Sequence, residues 1–339
     1  MRTVLALALL AACGGSNSSG GGDGGGGSDA HVDARGIDSP AGSDGSVSDT
    51  PLDSPVCGLR QHMTGLTHRT VTIGGLTRTY LVYLPASADP ATPVPLVLVF
   101  HGYTMSGQNM YDITQYQTIA DSEHVALAFP DGQGGPNSFG APWNVGDNVC
   151  PVVTGQPPDA TGDDFAFMDA MEADIEADQC VDAQHVFVTG FSMGGYFTHH
   201  AGCMRPDIAG VAPHSGGTHD LSACPSVHKP IIIFHGKADP VVPPGCDDPA
   251  SPMSGSAQPS ADAWAQHNGC GTTTHAVSVE QGTCLYYDGC PADGQVALCT
   301  FDNMGHCWAG GPASEGLYAC PGYESATQLE WTFWKMYAW

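Results

Sequence analysis

The hydrophobic pattern changes character along the chain. Residues 70–73 and 77–84 (TRTYLVYL) mix apolar and polar positions around Gly74 and Gly75, which predicts a β-hairpin. Residues 95–100 (PLVLVF) are continuously apolar, as in a strand covered on both faces of a parallel sheet. A helix is predicted over 110–123, a buried strand over 125–129, and a helix over 163–178 with Phe165, Met168, Met171, Ala173 and Ile175 on its apolar face. Strands are predicted at 186–189, 208–212, 231–234 and 296–301, with helices over 193–204, 261–267 and 324–337. Strands alternating with helices predict an α/β fold, a mostly parallel, doubly wound sheet in one domain.

The first 56 residues break this pattern. Residues 14–56 are Gly, Ser and Asp with scattered Pro, the composition of a disordered, flexible tether. Ahead of them stand Arg2, an apolar run at 3–10, and Leu10-Ala11-Ala12-Cys13, which resembles the lipobox of bacterial lipoproteins. The expectation is a signal peptide at 1–13 with Cys13 lipidated, a tether at 14–56 and the ordered domain at 57–339. The apolar run is too short to cross a bilayer as a helix, so membrane association is expected only through the lipid.

Composition narrows the partners. A chain of 339 residues that is 42% hydrophobic supports one large core. Nine Lys+Arg against 35 Asp+Glu leave a net charge of -26, which excludes nucleic acid and an anionic membrane surface as natural partners. The 13 cysteines point to an oxidising compartment, extracellular or at the cell surface. With Cys13 lipidated, twelve remain, compatible with up to six disulfides.

The chemistry is concentrated in residues 185–200, HVFVTGFSMGGYFTHH. An apolar strand runs into Gly190-Phe191-Ser192-Met193-Gly194 and a helix follows. Glycines two before and two after Ser192 leave room for a strained turn that lifts one hydroxyl clear of the sheet edge, the nucleophile elbow of an α/β-hydrolase. A serine hydroxyl attacks only when a base takes its proton, and the base needs a carboxylate to fix its tautomer. In this fold the order along the chain is Ser, Asp or Glu, then His, on loops leaving the C-terminal edge of the sheet.

Asp239 meets that requirement a few residues beyond 231–234, in HGKADP. Asp220 precedes this strand, and Asp247 and Asp248 lie further from its end. His306 follows the strand at 296–301 by a short loop. His267 and His275 precede that strand, and His199 and His200 lie on the helix after the elbow. The oxyanion of an acyl transfer needs preorganised N–H donors. Met193 supplies one by position, and the loop after Phe100 supplies the other, from Tyr103 or else Thr104.

Six blocks, LVFHGYTMSG, FPDGQGG, PWN, VFVTGFSMGG, FHGKADPVVP and GHCWAGG, occur in the order found in the secreted esterases that include poly(3-hydroxybutyrate) depolymerases and feruloyl and acetylxylan esterases, and residues 57–339 resemble that group. The resemblance implies Ser192, Asp239 and His306 as the triad and the loop after His101-Gly102 as oxyanion donor. One departure is Ala309, where the group often has proline. The segment YDGCPADGQVALCTFDNMGHCWAGG is similar to the feruloyl esterase branch, which implies hydroxycinnamoyl or acetyl esters of plant polysaccharide as substrates, with Trp308 and Trp143 as aromatic contacts. It also implies a Cys203–Cys224 disulfide. Neither metal nor other cofactor is expected: His and Cys show no repeated ligand spacing, and the chemistry needs none. The alternatives are a polyester depolymerase, another hydrolase of this fold such as a peptidase or thioesterase, and a non-catalytic surface lipoprotein that binds carbohydrate or cells. The oligomeric state is left open.

Overall fold

The computed structural model describes residues 57, 60, 63–132, 142–146, 163–218, 221–242 and 257–339. All lie within one compact unit, Ser54–Trp339. The expected leader, tether and Cys13, and the aspartates Asp220, Asp247 and Asp248, fall outside the described residues.

A ten-stranded sheet organises this unit. The hairpin β1 (Gly65–Ile73) and β2 (Leu76–Leu84) turns at Gly74-Gly75, since Ile73 pairs with Leu76. Positive φ at both glycines (56° and 85°) suits the two-residue turn that matches strand twist. The middle of the sheet is built from β3 (Val94–Phe100), β4 (Ala126–Pro130), β5 (Val181–Phe191), β6 (Gly210–His214), β7 (Ile231–Gly236) and β10 (Val296–Phe301), mutually parallel in the order 4-3-5-6-7-10. Antiparallel pairs close both flanks: β1 and β2 beside β4, and β8 (Thr274–Val279) and β9 (Gly282–Tyr287) beside β10.

Strand alternation divides the core into two layers. Leu96, Leu98, Val186, Val188, Val211 and Ile233 pack with residues of α3 (Asp164–Ile175), α4 (Met193–Met204) and α5 (Ala257–His267). Val97, Val99, Phe187, Ala212, Ile232 and Phe234 pack with residues of α1 (Gly107–Thr114), α2 (Gln117–Glu123) and α6 (Ala326–Tyr337). Helices therefore cover both faces, as the apolar runs imply.

Two departures have local causes. The helix expected over 110–123 is two helices, because Gln115 takes a left-handed conformation (φ 55°) after α1, which starts earlier behind a Ser106–Asn109 capping box. Strand β8 escapes the pattern because it is almost wholly exposed and carries no buried face, and β9 because its buried positions, Cys284 and Tyr287, do not alternate. Five disulfides join described residues: Cys57–Cys180, Cys203–Cys224, Cys270–Cys290, Cys284–Cys299 and Cys307–Cys320. The expected Cys203–Cys224 bridge is among them.

Candidate active site

Ser192 sits between the end of β5 and the first residue of α4, with φ 56° and ψ -117°. A non-glycine residue held there is strained, and its neighbours show what holds it. The Ser192 N–H donates to the His214 carbonyl at the end of β6 (2.8 Å). A Cβ on Gly190 would lie 2.5 Å from the Gly194 oxygen, and one on Gly194 would lie 2.2 Å from the Phe100 oxygen. Both positions therefore require glycine for close backbone approach. Met193 opens α4, so its amide belongs to the first helical turn, whose N–H groups have no partner within the helix.

The loop after β3 lies directly against this turn: a Cβ on Gly102 would stand 3.1 Å from Ser192 Cβ. Met105 N–H donates to the Gly102 carbonyl (3.0 Å), closing a turn through Tyr103 and Thr104. Tyr103 is 38% exposed, and Thr104 has φ 67°. His101 anchors the loop from inside. Its Nδ1 donates to the Gly102 carbonyl (2.7 Å) and its Nε2 accepts from Gly132 N–H (2.9 Å). Burial pushes this imidazole down to about 4, so it stays neutral and can accept.

Asp239, three residues beyond β7, has no exposed surface. Its Oδ1 accepts from the N–H groups of Val241 (2.8 Å) and Val242 (3.0 Å), and its Oδ2 accepts from His306 Nδ1 (2.7 Å). Burial opposes ionisation, yet the His306 hydrogen bond and the adjacent imidazoles hold this carboxyl below the usual aspartate range. His235 Nε2 donates to the Val242 carbonyl (3.1 Å) and lies 3.6 Å from Asp239 Oδ2. The loops carrying Asp239 and His306 touch through backbone: Lys237 N–H donates to Phe301 O (3.0 Å) and Ala238 N–H to Met304 O (2.9 Å). The His306 ring, half-buried, lies 4.6 Å from the ring of Phe191, the residue before Ser192.

The structure thus brings Ser192, Met193, the 101–104 loop, Asp239 and His306 to one edge of the sheet. The competing histidines His199, His200, His267 and His275 lie elsewhere. His199 is buried and accepts from Trp264 Nε1 (3.0 Å), His200 stacks on Phe165 (5.1 Å), His267 ends α5, and His275 is exposed and paired with Asp288 (2.7 Å).

The two tryptophans require a correction. Trp143 is 0% and Trp308 1% exposed, so neither presents a face to a substrate. Trp143 packs among Phe100, Phe197 and His101, and its Nε1 donates to the His101 carbonyl (2.8 Å). Trp308 stacks on His214 (3.6 Å between centroids), and its Nε1 donates to Thr327 Oγ1 (3.0 Å). Aromatic character alone does not distinguish a pocket wall from a core residue, and burial decides. His235, His214 and Glu330 are further polar residues around the site. The first two end apolar strands, a signal visible in the sequence, whereas Glu330 reads only as a polar position in a helix.

Among the described residues no group of three His, Cys, Asp or Glu is disposed to hold a metal, and no helix is long and apolar enough to cross a membrane.

A family model described as phospholipase/carboxylesterase matches residues 85–267, more than half of the chain. Feruloyl esterase B of Piromyces equi is 30% identical over 242 residues, 68% of this chain and 42% of that protein. Feruloyl esterase C of Emericella nidulans is 30% identical over 203 residues, 56% of this chain and 64% of that protein. The chain thus spans less than two thirds of the length of these relatives. Among solved structures, an acetyl xylan esterase from Aspergillus awamori superposes with a TM-score of 0.52 over 71% of this chain and 94% of that one, at 16% identity, which shows a shared fold.

Proposed function

The chain belongs to the phospholipase/carboxylesterase family of α/β-hydrolases, and from that premise we propose that it is a serine carboxylic ester hydrolase in which Ser192, His306 and Asp239 act as nucleophile, base and orienting carboxylate. The observation that carries the reading is the 2.7 Å His306–Asp239 hydrogen bond beside a serine at φ 56°.

With Nδ1–H given to Asp239, the other imidazole nitrogen, Nε2, is the acceptor for the Ser192 proton. Ser192 Oγ attacks the ester carbonyl carbon as His306 takes its proton, and the carbonyl π electrons move to oxygen. Met193 N–H and the Tyr103 N–H are the donors assigned to that oxyanion, and losing one such donor costs about 3 kcal/mol in the transition state. Collapse expels the alcohol, which leaves with the proton from His306, and an acyl-Ser192 ester remains. Water then attacks with His306 again as base, the acid is released and Ser192 regains its proton. No step needs a metal or cofactor.

For substrate we propose hydroxycinnamoyl or acetyl esters of plant polysaccharide. Two relatives at 30% identity carry the name feruloyl esterase. Tyr103 and Tyr318, each partly exposed, supply the aromatic surface that the buried tryptophans do not; the Tyr318 ring is 6.3 Å from that of Phe191. The five disulfides and the N-terminal sequence support export, with Cys13 as lipid anchor.

Side-by-side rates on methyl ferulate and a 3-hydroxybutyrate oligomer, with Ser192→Ala as control, test the substrate assignment. Ferulate preference supports it. Preference for the oligomer makes the protein a polyester depolymerase, and wild-type inertness toward both, and toward simple aryl esters, returns it to a binding role.

A further inference from the structure

Behind the reacting edge lies a buried polar cluster that the mechanism does not use. Glu330, on α6, is 0% exposed. Its Oε1 accepts from Tyr116 Oη (2.5 Å), and its Oε2 lies 2.9 Å from Thr189 Oγ1 and 3.1 Å from His214 Nε2. Thr189 has one hydroxyl hydrogen and a second oxygen neighbour, the Ala212 carbonyl at 2.7 Å. A carbonyl only accepts, so the hydroxyl hydrogen goes there and the carboxyl supplies the hydrogen for the Thr189–Glu330 contact. Glu330 is then a neutral acid. It donates to Thr189 and accepts from Tyr116 and from the Nε2–H of a neutral His214. Burial favours the same state, pushing Glu330 well above the usual carboxylate range and His214 well below the usual imidazole range.

The partners of this acid reach both halves of the site. His214 accepts the Ser192 N–H at its carbonyl (2.8 Å), which helps to hold the strained turn. Its ring stacks on Trp308 at 3.6 Å, two residues beyond His306. Thr189 lies on β5, three residues before Ser192. One turn earlier on α6, Thr327 accepts from Trp308 Nε1 (3.0 Å) and donates to the Thr114 carbonyl (2.8 Å). An apolar side chain fills buried space at no cost in lost hydrogen bonds, whereas a fully satisfied polar network fixes a single arrangement.

We propose that Glu330 is a positioning residue for ester hydrolysis, holding His214 so that the Ser192 turn and the loop presenting His306 keep their mutual placement. This rests on the esterase reading above. Displacements of about 1 Å at a reacting centre cost on the order of 10²-fold in rate.

The test compares Glu330→Gln with Glu330→Leu in the full chain, measuring kcat and KM on a soluble aryl ester, the rate of Ser192 labelling by a fluorophosphonate, and Tm. Gln preserves the bonds, since its amide donates to Thr189 and, with His214 in the other tautomer, to Nε2. The expected result is near-wild-type kcat and labelling for Gln, and for folded Leu a fall in both of on the order of 10²-fold at unchanged KM. A purely structural role would move Tm alone. Folded Glu330→Leu with wild-type kcat and labelling overturns the proposal, as does Gln impaired as severely as Leu. Should Leu fail to fold, Tyr116→Phe and Thr189→Val each delete one bond to Glu330, the second also losing the Thr189 bond to the Ala212 carbonyl: lowered kcat at unchanged KM in either supports the proposal, and unchanged kcat in both overturns it. A wild type that neither turns over esters nor labels at Ser192 fails at the esterase reading itself and takes this proposal with it.

Discussion

His306 donates from Nδ1 to Asp239 Oδ2 at 2.7 Å, across 67 residues of sequence. Asp239 spends its other oxygen on the amides of Val241 and Val242, so its orientation is fixed before the imidazole arrives. Replacing it by asparagine keeps the shape but lets the amide N–H face Nδ1 and reverses the tautomer. Asp239→Asn is expected to lower kcat on the order of 10⁴-fold, measured on a p-nitrophenyl ester.

The same carboxyl gives the wild type an acid limit. Its native pKa is held below the ordinary value, so its stabilising contribution is complete above the ordinary aspartate range of about 3.9 and is lost as pH falls through the lower native value. Tm measured from pH 6 down to pH 2 should fall more steeply in wild type than in Asp239→Asn.

Gly194→Ala would place a Cβ 2.2 Å from the Phe100 carbonyl oxygen, against backbone that cannot rotate away. The elbow must then shift from the sheet, and destabilisation of at least about 1–3 kcal/mol is expected, with loss of activity. Denaturant titration beside an activity assay checks both.

Glu172, on α3, contributes with the opposite sign to Asp239. Burial opposes its ionisation more strongly than Arg205 favours it, and its pKa is pushed up to about 7. Stability linked to it is present below the ordinary glutamate value and is lost as pH rises toward 7. Glu172→Gln should therefore match the wild type near pH 4 and melt higher at pH 8.

Much of this was legible in the sequence because it rests on periodicity and local turn chemistry. The run at 95–100 becomes β3, and the glycines around Ser192 are those the elbow needs for clearance. Asp239 and His306 stand out by chain order relative to strands, and the structure sets them beyond the ends of β7 and β10, 2.7 Å apart. What escaped depends on three-dimensional burial. Trp143 and Trp308 read as sugar- or ring-stacking surfaces, yet both lie in the core with their indole N–H groups engaged. The exposed strand β8 carries no apolar face to announce it, and Glu330 lies 116 residues from His214 and 141 from Thr189.

The most direct test of the central claim is covalent: incubate the wild type and Ser192→Ala with a fluorophosphonate, map the adduct by peptide mass spectrometry, and follow p-nitrophenyl ester hydrolysis in parallel. The account predicts a single adduct on Ser192, parallel loss of hydrolysis, and neither adduct nor turnover in folded Ser192→Ala. An adduct elsewhere, or hydrolysis by Ser192→Ala near the wild-type rate, would contradict it.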